Sequence, residues 1–180
     1  MNPVTAATPS ALVRIATQTA LAALGAYWLG LQLTSTLHEA SADIGALWSA
    51  ISAIVVLQAT QRDTLNSAWL RILGTLIGAV ISASYLSLLP FNPLGMAASI
   101  FITVLLCHAA RIPDHARLAA ITVAVIMVAA NLSPDLPPIQ NAALRFIESC
   151  IGAALGTLAA LLWPEPRSLS DSRRSGCKIR

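Results

Sequence analysis

The sequence predicts an all-α, polytopic membrane helix bundle of about six transmembrane helices, arranged as two inverted three-helix repeats. Hydrophobic residues make up 56% of the 180-residue chain and charged residues 11%, whereas a soluble domain carries roughly 25% charged residues. A water-soluble globule of this composition would expose large apolar patches. The apolar residues also gather into six runs of near-spanning length, separated by short segments rich in charge and proline. Two of these runs, three apart in order, resemble each other.

Residues 1–14 read as a short cytoplasmic segment ending in Arg14. The first run, 15–33, outlasts the roughly 7–15 apolar residues of a signal peptide and carries Tyr27 and Trp28 near its end, so it reads as a retained helix. The second run, 44–59, is short. The third, 70–89, stops at Pro90 and Pro93, and the fourth is 94–110. The fifth, 118–132, is again short and is stopped by Pro134, Pro137 and Pro138; the sixth, 143–163, is stopped by Pro164 and Pro166. Little length remains for a substantial soluble domain. The basic, serine-rich tail, 164–180, reads as disordered and cytoplasmic. Helices are required because a lipid-facing backbone must satisfy its own hydrogen bonds. The runs lack the period-two alternation of a barrel strand.

Charge sets the orientation. With both termini cytoplasmic, ten of the eleven Lys and Arg residues fall on the inner side, and Arg145 alone on the outer. Tyr27, Trp48 and Tyr85 then lie toward the outer interface and Trp69 and Trp163 toward the inner one, as an aromatic belt.

The repeat is carried by Arg71-Ile-Leu-Gly-Thr75-Leu-Ile-Gly78-Ala79 and Arg145-Phe-Ile-Glu-Ser149-Cys-Ile-Gly152-Ala153. Arg71 matches Arg145, Thr75 matches Ser149, and Ile, Gly and Ala follow at matching positions. Three helices separate the copies, so they cross the membrane in opposite directions, a design that recurs in transporters with the substrate path between the repeats.

The stretch from Ala46 through Trp48 to Gln58, then Thr64, then Arg71 to Gly78, resembles the fusaric acid resistance and aromatic acid exporter family (FUSC-like). The membrane part of plant aluminium-activated malate transporters is similar. Arg145-Phe-Ile-Glu148 followed by Gly152 looks like the last membrane helix of the same family, and the resemblance spans about Ile15 to Trp163. Ala59 departs from it, since a breaker such as Pro is expected after the Gln, and the sizeable cytoplasmic domain of many relatives has no counterpart. The resemblance implies export of organic acids and, with one six-helix unit per chain, a homodimer.

Arg71 and Arg145 are the candidate substrate-binding residues, because a guanidinium facing the bundle interior can hold a carboxylate with a planar fork. The competing reading has both near helix ends, snorkelling to lipid phosphates. Glu148, one turn after Arg145, is either a proton-coupling group or that arginine's structural ion-pair partner, and the ion pair is preferred. Gly74, Gly78, Gly152 and Gly156 have the small-xxx-small spacing of helix packing. His38, Glu39 and Asp43 read as a solvated outer loop. His108, Arg111 and His115 do not make a metal site. The single lysine, Lys178, lies in the tail, so no phosphate-binding loop is present.

These readings predict a bacterial inner-membrane unit exporting aromatic or carboxylated anions on an ion or proton gradient. No catalytic residue, cofactor, metal or nucleic-acid partner is expected. The partners are the lipid bilayer, a small organic anion and a second copy of the chain. The alternatives are an anion channel of the same architecture, or a non-transporting membrane scaffold.

Overall fold

The computed structural model describes residues 9–58 and 60–163. Six α-helices follow one another: α1 (Pro9–Leu37), α2 (Ala42–Val56), α3 (Gln61–Leu88), α4 (Pro93–Ala109), α5 (Pro113–Leu132) and α6 (Pro138–Leu162), with a 3-10 turn, Glu39–Ser41, leading into α2. There is no strand among the described residues. The tail expected to be disordered, 164–180, lies outside them.

Local chemistry places the helix starts beyond the apolar runs. Thr60 caps α3: its Oγ1 accepts from the Asp63 N–H at 3.1 Å and donates to the Asp63 carboxylate at 2.7 Å. The helix therefore begins at Gln61, well before the apolar run at 70. Asn92 caps α4 by accepting from the Leu94 N–H at 2.8 Å. Pro93, Pro113 and Pro138 each open a helix, where a missing N–H costs nothing. Residues 9–14 are already helical, and α2 ends at Val56, three residues short of its predicted end.

Among the described residues, four stretches are long and apolar enough to cross a membrane: Glu39–Val56, Gln61–Leu88, Pro113–Leu132 and Pro138–Leu162. α4 is apolar but only 17 residues long, about 25 Å against a hydrocarbon core of about 30 Å. α1 is 29 residues long and more polar, with Thr17, Gln18, Thr19 and Gln32.

The bundle is polar inside and apolar outside. Arg71, Arg145, Glu148, Asn141 and a set of Ser and Thr side chains are buried, while Leu94, Phe101, Leu105, Trp28 and Trp69 are exposed. Water would reverse that distribution; a bilayer favours it. The chain is thus a multi-pass helical membrane protein.

The packing follows the repeat. α1 lies on α2 as α4 lies on α5. α2 lies on α6 as α5 lies on α3, and α3 crosses α6. Gln61, at the start of α3, donates to the Ala160 carbonyl near the end of α6 at 3.1 Å, so these two helices run antiparallel. The glycines show the same symmetry at atomic level. A Cβ on Gly78 would meet the Ala119 carbonyl oxygen and Thr122 of α5; one on Gly152 would meet the Ser49 carbonyl oxygen and Ser52 of α2. Gly74 likewise seats on α5, against Leu118, and Gly156 on α2, against Ala53. Thr75 and Ser149, matched by the repeat, touch each other through hydroxyls 3.1 Å apart. Both lie near the middle of their helices, so a local two-fold axis passes between them.

Candidate functional site

The polar interior is built around this crossing. Arg71 lies one turn before Thr75 on α3 and is 1% exposed. Its Nε donates to the Ser52 and Ser149 hydroxyls, each at 3.2 Å, and its Nη2 to Ser52 at 2.9 Å. Its guanidinium lies over the Trp48 ring, 4.3 Å from the centroid, a cation–π arrangement. Among the described residues no carboxylate forms an ion pair with it.

Arg145 lies one turn before Ser149 on α6 and is also fully buried. Its Nη1 sits 3.0 Å from Glu148 Oε2 as an ion pair. Its Nη2 donates to the Ser41 hydroxyl at 3.4 Å, and its Nε finds no acceptor. Glu148 Oε1 accepts from the Thr34 hydroxyl at 2.6 Å, and Ser49 donates to the Glu148 main-chain carbonyl at 3.0 Å. The carboxylate reaches this position because Gly45 has no side chain: a Cβ there would collide with Glu148 Oε1 and Thr34 Oγ1. Small residues on α1 at four-residue spacing, Ala22, Ala26, Gly30 and Thr34, let α1 approach closely enough to close the site.

The competing reading of the arginines and the expectations for Trp48 and His38 are overturned. Neither arginine snorkels: both helices begin well before them, so the guanidiniums lie inside the spans rather than at an interface. Trp48 does not belong to an aromatic belt. It is 3% exposed and stacks on Arg71, and its indole N–H has no partner. Trp69, by contrast, is 59% exposed. His38 is tied to Asp135 at 3.2 Å across two connections rather than simply solvated.

Sequence reasoning missed Thr34, Ser41, Gly45, Ser49 and Ser52. The signal for three of them was available. Gly45, Ser49 and Ser52 repeat small residues at helical spacing on α2, the pattern that picked out the glycines of α3 and α6.

Arg71 is a buried cation held by hydroxyls and a ring face, which can exchange a hydroxyl for an anionic oxygen without breaking an ion pair. Arg145 and Glu148 form a compensated pair in which a proton can change the balance of charge.

A family profile described as fusaric acid resistance protein-like matches residues 21–159, a span that contains every side chain of this site. No curated protein and no solved structure matches the chain.

Proposed function

From the premise that the chain belongs to the fusaric acid resistance protein-like family, a family of membrane transport and resistance, we propose that it exports organic anions, aromatic or carboxylated, on a proton or ion gradient. The observation that carries this reading is Arg71: a guanidinium 1% exposed with no carboxylate partner among the described residues. An uncompensated buried charge is costly, and a substrate carboxylate is the group that would compensate it. The neighbouring Trp48 ring offers an apolar face beside that charge. Arg145, one turn on the other side of the two-fold axis, is the second anion-binding residue. It becomes free to bind when Glu148 takes a proton. Neither arginine nor Glu148 is assigned a catalytic role, and the protein is not an enzyme in this reading.

The unit works as a homodimer in the bacterial inner membrane with both termini cytoplasmic. Cysteines placed at Thr36 and Pro137 then react with an impermeant thiol reagent from outside, and one at Pro113 does not. The test of function uses vesicles containing only this protein and a panel of radiolabelled organic acids, with and without a pH gradient. Acid efflux accelerated by the gradient is the expected result. No flux of any acid sinks the transporter reading, and flux that ignores the gradient replaces it with an anion channel.

A further inference from the structure

Away from Arg71, a second series of polar contacts leads from the surface into the bundle. Asp135, in the α5–α6 connection, has a side chain 69% exposed and places Oδ2 3.2 Å from His38 Nε2. His38 Nδ1 lies 3.2 Å from the Ser41 hydroxyl. Ser41, 1% exposed, accepts from Arg145 Nη2 at 3.4 Å, and Arg145 Nη1 meets Glu148 Oε2 at 3.0 Å. Each member touches the next, so a titratable ring at the surface is two contacts away from a fully buried ion pair.

We propose that His38 is a proton-responsive positioning residue for the Arg145–Glu148 pair, acting through the Ser41 hydroxyl. The inference rests on the transporter reading for its purpose, because a proton arriving from this end of the bundle would gate the site; the contacts themselves do not depend on it. Imidazole is the side chain whose ordinary titration falls between about pH 5 and pH 8. With His38 neutral and its Nε2–H on Asp135, Nδ1 accepts the Ser41 hydroxyl proton, and both Ser41 lone pairs remain for Arg145. With His38 cationic, both ring nitrogens donate. Nδ1–H then takes a Ser41 lone pair, and the Ser41 hydroxyl turns to the His38 carbonyl oxygen, 3.3 Å away. A second positive charge now sits one hydroxyl from Arg145. Both changes weaken the hold of Ser41 on the guanidinium, so acid at this end loosens Arg145 from its anchor.

The groups around the ring are accounted for. Glu39 in the same turn and Asp43 in α2 are exposed. Asp135 faces the ring from the α5–α6 connection, and Arg145 and Glu148 from α6. The Asp135 carboxyl is held below its ordinary value by its own backbone N–H and by the His38 hydrogen bond. It therefore keeps its negative charge beside the ring.

Coupling is reciprocal: if His38 biases the ion pair, the ion pair biases His38. The test is histidine NMR on the whole protein in nanodiscs, where three histidines are present and His38→Asn assigns the signal. Removing both buried charges with Arg145→Gln and Glu148→Gln takes away the nearer positive charge, so the His38 midpoint should rise by about half a pH unit. If that variant does not insert, Ser41→Ala serves alone, and the midpoint should fall because the Nδ1–H loses its acceptor. An unmoved midpoint overturns the proposal. In vesicles, His38→Asn should lower the ratio of acid flux at outer pH of about 5.5 and about 8 below the parent's; a ratio equal to the parent's also overturns it. Failure of the parent to carry any flux refutes the transporter reading instead, and the NMR midpoint still decides the coupling.

Discussion

Arg71 and Arg145 occupy matching positions, each one turn before the Thr75–Ser149 contact, yet their surroundings differ in one decisive residue. Three positions after Arg145 stands Glu148; three positions after Arg71 stands Gly74. The carboxylate inserts between α1 and α2 beside Gly45, and its arginine is compensated within the chain. The glycine only lets α3 approach α5, and its arginine is left with hydroxyls and a ring. The backbone therefore repeats while the charge does not. A two-fold fold can hold one arginine in a closed ion pair and leave the other without a carboxylate partner among the described residues.

The largest effect should come from breaking the closed pair. Glu148→Gln leaves a buried guanidinium uncompensated and should cost about 3–5 kcal/mol of stability, read from denaturant unfolding in mixed micelles. Adding Arg145→Gln should restore most of it. Equal losses in the single and double variants would mean that the charges are not what holds the pair in place.

Arg71 should behave in the opposite way. Arg71→Gln strands no charged partner, so stability should move little while affinity for an organic acid falls. Loss of a charged hydrogen bond costs about 1.5–3 kcal/mol, about tenfold or more in the dissociation constant measured by calorimetric titration. Arg71→Lys should recover part of it, since an ammonium lacks the planar fork. A large stability loss with unchanged acid binding would make Arg71 structural and erase the contrast between the halves.

Gly78→Ala and Gly152→Ala test the symmetry of packing. Each adds a methyl against a carbonyl oxygen and a side chain of the facing helix, so each should cost about 1–3 kcal/mol, with similar values for the two. Clearly unequal unfolding midpoints would show that the halves differ in packing as well as in charge.

The smallest effect belongs to Ser149→Ala. It removes a hydroxyl that accepts from Arg71 and meets Thr75, so unfolding should become easier by about 1 kcal/mol. The same loss should appear in Thr75→Val if the contact is shared equally.

The apolar runs, their proline stops and the matched arginines made the helix order, the inverted repeat and the residues Arg71, Arg145 and Glu148 legible in the sequence. The helix starts were not, because the first turns of α3 and α6 are polar and set by Thr60 and Pro138 rather than by hydropathy. The hydroxyls of the site were illegible for a different reason. A helical Ser or Thr can satisfy itself on the carbonyl four residues back, as Thr17, Thr19, Ser84 and Ser87 do on exposed faces. Residue type alone therefore does not separate these from Thr34, which donates to Glu148 on α6, or from Ser52, which bonds back to the Trp48 carbonyl and still accepts from Arg71. Trp48 was misplaced because an aromatic near a span's end is ambiguous between a lipid anchor and a lid over a buried cation.

The hydroxyl pair on the two-fold axis sets a rule about self-recognition. A side chain on such an axis meets its own image, so a carboxylate there would face a carboxylate, and a guanidinium a guanidinium. A hydroxyl can donate to a hydroxyl, because one gives its proton while the other offers a lone pair. Thr75 and Ser149 thus mark a place on the axis where a three-helix unit and its inverted copy are polar without conflict. The arginines stand one turn away on either side, their α-carbons about 12 Å apart along the helix direction.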